Sequence, residues 1–191
     1  FYNPKTCNDT GSPGRIQFFS KNEEPGLLLS TSEGSHDKPG KLTQDKNSIF
    51  GKILFLQLKD GKVQIISLGH RVIQGLYADQ NKIIATEHGP KGGDEINLIF
   101  DEKNYGWPVV SLGERYDFKY GKEILSYKKD HKKNNFKEPI FSFIPSIGIS
   151  EIIKLPKTFS AYYDKHFLLS SLNGRSIYLI RFSDNFEKII T

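Results

Sequence analysis

Short apolar runs rich in Ile, Leu, Phe and Tyr follow one another along this chain, and Gly, Asn, Asp and Pro interrupt them too often for ordinary helices. The runs predict strands over 15–19, 27–31, 51–58, 63–67, 75–79, 82–87, 96–100, 149–155, 166–171 and 176–182. Lys59-Asp60-Gly61-Lys62 and Asp79-Gln80-Asn81-Lys82 have the residues of tight hairpins, because Gly and Asn tolerate positive φ. Consecutive strands should therefore pair antiparallel. Only 156–163 reads as a short helical turn.

Three segments repeat weakly: Leu27-Leu28-Leu29-Ser30-Thr31-Ser32-Glu33-Gly34, Ile83-Ile84-Ala85-Thr86-Glu87-His88-Gly89 and Leu168-Leu169-Ser170-Ser171-Leu172-Asn173-Gly174. Each is an apolar strand ending in small polar residues and Gly, and after a loop each is followed by another apolar strand. This pattern predicts an all-β chain, a β-propeller of four-stranded antiparallel blades around a channel. At roughly 40–50 residues per blade, the 191 residues correspond to about four blades. A β-sandwich with hairpins of the same spacing is the alternative.

With 37% hydrophobic and 13% aromatic residues the chain can fill one core, so residues 1–191 read as a single domain. No window approaches the length of apolar chain that a membrane span needs, and residues 1–15 lack the pattern of a secretory leader. A chain that opens at Phe1 is expected to have lost sequence upstream. Cys7 is the only cysteine, which excludes an internal disulfide. The formal charge of +5 is local, because 119–137 holds lysines 119, 122, 128, 129, 132, 133 and 137 against Glu123 and Asp130. The 117–138 segment therefore reads as a solvated Lys-rich loop. An acidic polymer or a membrane surface is the other partner it suggests, and without interleaved Arg and aromatics no nucleic-acid partner is expected.

Candidate chemistry concentrates after 82–87. His88-Gly89-Pro90 ends a strand with one residue lacking Cβ and one lacking an amide donor, which frees backbone carbonyls to face a cation. Oxygen ligands suit calcium, and Glu95 is a hard anionic ligand of the same kind. Asp94 and Glu95 read equally well as plain loop carboxylates. Arg71 reads by itself as half of a structural ion pair with one of many nearby acids. Trp107, the only tryptophan, reads as a core anchor, and His36 and His88 as exposed loop residues.

The stretch Glu87-His88-Gly89-Pro90-Lys91-Gly92-Gly93-Asp94-Glu95-Ile96-Asn97, followed by Asn104-Tyr105-Gly106-Trp107-Pro108, resembles the glucose/sorbosone dehydrogenase family. Asp45-Lys46-Asn47-Ser48-Ile49-Phe50-Gly51, Gly69-His70-Arg71 and Gln74-Gly75-Leu76 extend the resemblance. It implies a piece of a six-bladed propeller whose soluble members oxidise aldose sugars with pyrroloquinoline quinone (PQQ) and calcium. The resemblance assigns the Gly89 and Pro90 carbonyls to a calcium that holds the quinone, Arg71 and Arg175 to the cofactor, and Glu95, Tyr105 and Tyr116 to a structural calcium. It also implies a small-molecule sugar, an electron acceptor, a periplasmic or secreted location, and a further propeller chain or oligomer covering the open edges.

The pattern breaks where the family supplies a catalytic histidine, since Gly14-Arg15 follows Asp9-Thr10-Gly11-Ser12-Pro13. Asp9 and Glu33 are then the candidates for proton handling. Val72-Ile73 replaces the family's Asn-Pro, Ile144-Pro145 sits where some members carry an aromatic, and Asn173 sits where a lysine is expected. Two readings follow: a PQQ- and calcium-dependent aldose dehydrogenase, or a non-catalytic propeller serving as a calcium-containing binding or scaffold module.

Overall fold

A computed structural model describes residues 14–34, 40–79, 82–116 and 126–190. Its strands are β1 (Ile16–Lys21), β2 (Glu24–Ser30), β3 (Lys52–Gln57), β4 (Val63–Leu68), β5 (Ile73–Asp79), β6 (Lys82–Glu87), β7 (Asp94–Ile99), β8 (Lys103–Asn104), β9 (Phe141–Phe143), β10 (Ile149–Lys154), β11 (His166–Ser171) and β12 (Ser176–Arg181). Every predicted strand is present, and the turn expected in 156–163 is a 3-10 turn at Ala161–Tyr163. The short strands β8 and β9 escaped the apolar pattern, as did 3-10 turns at Lys41–Gln44 and Lys132–Asn134. Asp9, Cys7, His36 and the Gln80-Asn81 turn lie outside the described residues.

The strands form three sheets, in the orders β1-β2-β3-β4-β8, β5-β6-β7-β9 and β10-β11-β12. All pairings are antiparallel except β4 with β8. The three repeated segments are the second strands, β2, β6 and β11. Among the described residues there are thus three sheets, one fewer than chain length divided by a blade period predicts. Much of the difference lies in residues 105–116 and 126–140, which add no strand to these sheets.

Alternation along β6 and β7 explains how the sheets stack, since successive side chains point to opposite faces. Ile83, Ala85 and Ile99 join Phe19, Leu28, Ile53 and Phe55 in one core. Ile84, Ile96 and Leu98 join Ile149, Ile152, Phe167 and Leu169 in a second. The middle sheet is therefore buried on both faces, and β7 is buried at all six positions. The first strands of the sheets are neighbours, β1 beside β5 and β5 beside β10. Arg15 before β1 reaches Glu151 of β10 at 3.2 Å. A Cβ on Gly75 would meet the Ile152 amide at 2.8 Å, so only glycine lets β5 lie this close to β10.

Sheets that fan from a common inner line form a partial propeller, whereas a sandwich would place two sheets over a single core. The outer faces of the end sheets are apolar yet exposed: Ile16 and Phe18 on one, Ile153 and Ile177 on the other. No helix among the described residues is long and apolar enough to cross a membrane.

Candidate functional site

Hairpin pairing puts the start of β1, the ends of β2, β4, β6 and β11, and the start of β10 at one end of the sheets. Glu33, Arg71, His88, Gly89, Pro90 and Arg175 all lie on the loops at this end. Arg71, His88 and Gly89 line a cleft with Glu87, Glu95, Tyr105 and Trp107, among others, and Glu33 contacts two of these lining residues, Arg71 and Trp107. Arg175 sits on the exposed β11–β12 hairpin with φ 47°, at the same end but outside that lining.

Three side chains from distant parts of the chain form one unit. Arg71 Nε lies 3.5 Å from Glu33 Oε1, and Trp107 Nε1 donates to Glu33 Oε2 at 2.7 Å. The guanidinium carbon stands 5.2 Å from the centre of the Trp107 ring, a cation–π arrangement. Trp107 is buried, as a core anchor would be, and it also supplies a polar contact. Behind it, Thr43 Oγ1 and Gln44 Nε2 each donate to the Trp107 carbonyl at 2.6 Å. Their turn is secured by Lys52, whose buried ammonium donates to the carbonyls of Leu42, Thr43 and Phe50 at 3.2, 2.9 and 2.6 Å. Burial lowers the Lys52 pKa from its ordinary 10.5 to about 8, against the pull of Asp45.

Asp94 is more than a loop carboxylate. It is fully buried, and its oxygens accept from the amides of Gly89 at 3.1 Å, Ile147 at 3.1 Å and Ile149 at 2.9 Å. One side chain thus ties the loop after β6 to the loop before β10. Gly93 makes room for the same turn at φ +72°, where a Cβ would meet the Gly113 amide at 2.4 Å.

The carbonyls of His88 and Gly89 point into the cleft, where both accept from Arg71 Nη1, at 3.2 and 2.9 Å. The Pro90 carbonyl accepts from the Tyr116 hydroxyl at 2.7 Å. A calcium ion at Gly89 and Pro90 does not fit this arrangement, because a guanidinium and a phenol hold the oxygens it would need. A guanidinium oriented by Glu33 and Trp107 faces the cleft, a donor arrangement suited to an anion.

Deeper in the cleft lies a polar cluster of which the sequence reading had singled out Glu95 and Tyr105. Ser67 Oγ is 2.8 Å from His70 Nε2, and His70 Nδ1 is 3.1 Å from Glu87 Oε2. Tyr105 stacks on His70 with ring centres 4.7 Å apart. Glu87 and Glu95 are both buried here, close enough for one charge to act on the other, and His131 Nε2 stands 3.8 Å from Glu95 Oε1. Burial, then the Glu87 charge, pushes the Glu95 carboxyl well above the usual carboxylate range. Asn97 donates to Glu95 at 3.2 Å, while its buried Oδ1 has no hydrogen-bond partner.

Two facing carboxylates and an orphaned amide oxygen suit an oxygen-ligated cation. The Tyr105 hydroxyl donates to Leu98 and accepts from Phe100, so this residue would contribute through its backbone carbonyl. Among the described residues no three His, Cys, Asp or Glu side chains are arranged to hold a metal, so carbonyls, Asn97 and water would complete such a site. Within the Lys-rich segment, residues 128–137 are anchored rather than loose. Lys128 bridges to Val110, Lys129 Nζ donates to the Gly113 carbonyl at 2.6 Å, and His131 is buried beside Glu95.

The model of the Glucose / Sorbosone dehydrogenase family matches residues 2–190. The chain belongs to this family. An aldose sugar dehydrogenase of Escherichia coli is 28% identical over 199 residues, covering 91% of this chain and 51% of the relative. A crystal structure of glucose dehydrogenase superposes with a TM-score of 0.74 at 21% identity, over 92% of this chain and 52% of that one. The PQQ-bound form of an aldose sugar dehydrogenase from Streptomyces coelicolor gives a TM-score of 0.60 at 24% identity, over 89% and 45%. The chain therefore spans about half the length of these proteins, and the family's fold accounts for sheets radiating from an inner line of strands.

Proposed function

We propose that this chain forms the cleft-bearing part of a PQQ-linked aldose dehydrogenase located in the periplasm or secreted. The observation that carries the reading is the Arg71 guanidinium, held by Glu33 at 3.5 Å and stacked at 5.2 Å on Trp107 at the mouth of an open cleft. A planar guanidinium in that position pairs bidentately with a carboxylate and favours an anion over its neutral form. When bound, the quinone supplies the two-electron acceptor for the sugar's C–H hydride. Membership of the family and the PQQ-bound relative support this assignment.

Within this reading Glu33 orients Arg71, and Asp9 or Glu33 takes the proton of the sugar hydroxyl, the work a histidine does elsewhere in the family. Glu95, the Asn97 oxygen and the carbonyls of Tyr105 and Tyr116 hold the structural calcium. The Gly89 and Pro90 carbonyls, held by Arg71 and Tyr116, stay outside this cation site. Arg175 reaches the cofactor from the rim, and the exposed outer faces of the end sheets take further propeller chain or a partner copy.

The absence of a histidine before Gly14-Arg15 favours a second reading, a calcium-containing propeller that binds without catalysis. Reconstitution of the whole protein with PQQ and calcium, followed by dye reduction with an aldose, separates the two. Turnover supports the dehydrogenase. Cofactor absorbance on the protein without turnover supports the binding module, and absence of both removes the PQQ reading.

A further inference from the structure

We propose that Arg115, held over the ring of Tyr127, is a second anion-binding guanidinium at the mouth of the cleft and shares with Arg71 a small ligand carrying two or more carboxylates. This rests on the reading that an anionic cofactor lies against Arg71, and it adds a contact for that ligand outside the segment 87–107.

Four side chains form one row. The Arg71 guanidinium carbon stands 5.2 Å from the centre of the Trp107 ring, the Trp107 and Tyr127 rings are 5.1 Å apart at 46°, and the Arg115 guanidinium carbon stands 4.7 Å from the centre of the Tyr127 ring. A guanidinium therefore caps each end of an aromatic pair. Main-chain bonds pin the Tyr127 end, because the Lys128 amide donates to the Val109 carbonyl at 3.2 Å and the Ser111 amide to the Lys128 carbonyl at 3.0 Å. The two cations differ in what their charge already does. Arg71 is part-buried with Glu33 at 3.5 Å, whereas Arg115 is exposed and forms no ion pair among the described residues. Its neighbour Glu114 is taken by Lys129 at 2.8 Å. A guanidinium held over a ring keeps a preferred direction and leaves its fork free for a carboxylate. Both cations also act on one point. Burial pushes the Tyr127 hydroxyl above its ordinary range, while Arg115 and Arg71 each pull it down by favouring negative charge there, against Glu33 and Tyr116. An anion beside that hydroxyl, on the solvent side of the row, would feel both guanidiniums.

The test uses the whole protein and two probes, PQQ and benzene-1,3,5-tricarboxylate, which is planar and has three carboxylates but no quinone. Titration calorimetry compares wild type with Arg115→Gln, Arg115→Lys and Lys132→Gln, the last removing the same charge from an exposed position outside the row. Arg115→Gln should bind about tenfold or more weakly. Arg115→Lys should stay weaker than wild type, because a point charge does not reproduce the fork. Lys132→Gln should change affinity by less than about twofold, and melting temperatures should be unaltered, since Arg115 is exposed. This loss with either probe supports the inference; with the tricarboxylate alone, and PQQ unbound by the wild type, it does so while the PQQ reading falls. Equal affinity in Arg115→Gln, or an equal loss in Lys132→Gln, overturns the inference and leaves the reading of Arg71 standing. Failure of the wild type to bind either probe overturns both.

Discussion

The indole N–H of Trp107 donates to the carboxylate of Glu33 at 2.7 Å, joining residues 74 positions apart at the mouth of the cleft. Glu33 lies beyond β2 of the first sheet and Trp107 follows β8, so the bond ties two loops of that sheet beneath the guanidinium of Arg71. The contact gives a partly buried carboxylate a neutral donor on one side and a cation on the other, which fixes the direction in which Arg71 presents its charge.

Glu33→Gln should separate orientation from stability. The glutamine keeps an oxygen for the Trp107 indole but leaves a mostly buried guanidinium without its counter-ion, so unfolding free energy should fall by up to about 3 kcal/mol. PQQ affinity should fall by roughly tenfold, about 1.4 kcal/mol, because Arg71 is no longer aimed. Denaturant titration together with cofactor titration checks both quantities, and an unchanged affinity would remove Glu33 from the site.

Asp94→Ala should be among the most damaging single changes. It orphans three backbone amides, those of Gly89, Ile147 and Ile149. Loss of charge-assisted bonds on this scale costs roughly 3–5 kcal/mol. Asp94→Asn, which retains one acceptor oxygen, should cost less than half as much. Equilibrium unfolding of the two variants measures the difference.

Lys52 makes stability depend on alkaline pH. Its folded pKa of about 8 lies below the ordinary 10.5, so between these values the unfolded chain holds a proton that the folded protein lacks. Stability should therefore rise as pH climbs from about 8 towards 10.5, while below that window the ammonium is charged in both states and the full cost of burying it is present. Comparing melting temperatures of wild type and Lys52→Met across this range isolates the effect from the buried tyrosines. The wild type should gain relative to the variant as pH rises.

Calcium should raise the melting temperature and a chelator should lower it. At a concentration one hundred times the dissociation constant the gain is about 2.7 kcal/mol. In Glu95→Gln the response should shrink, because the buried anion that faces Glu87 is gone. Differential scanning calorimetry with and without calcium reads this directly, and an equal response in the variant would move the cation elsewhere.

Much of the architecture was legible from local rules. Apolar runs bounded by Gly, Asn and Pro located the major strands, and the repeated strand ending in small residues and Gly marked β2, β6 and β11. The segment 87–107 stood out by its resemblance to the glucose/sorbosone dehydrogenase family, and His88-Gly89-Pro90 within it by a strand end that frees backbone carbonyls. Strands β8 and β9 could not, since two or three residues are too few to show a period. Nor did composition reveal that 128–137 is pinned to the cleft, because charge counts say nothing about which backbone groups a lysine loop can reach.

What the chain determines by itself is its set of strands, their antiparallel hairpins and the residue types gathered at one end of them, since these depend on neighbours within a few positions. Only the tertiary structure decides that Asp94 serves three backbone amides, that Glu87 and Glu95 meet beside His70 and His131, and that Arg71 rests on the Gly89 carbonyl. Each of those contacts joins segments brought together by the packing of two hydrophobic cores, and no local pattern encodes which buried polar group will find which partner.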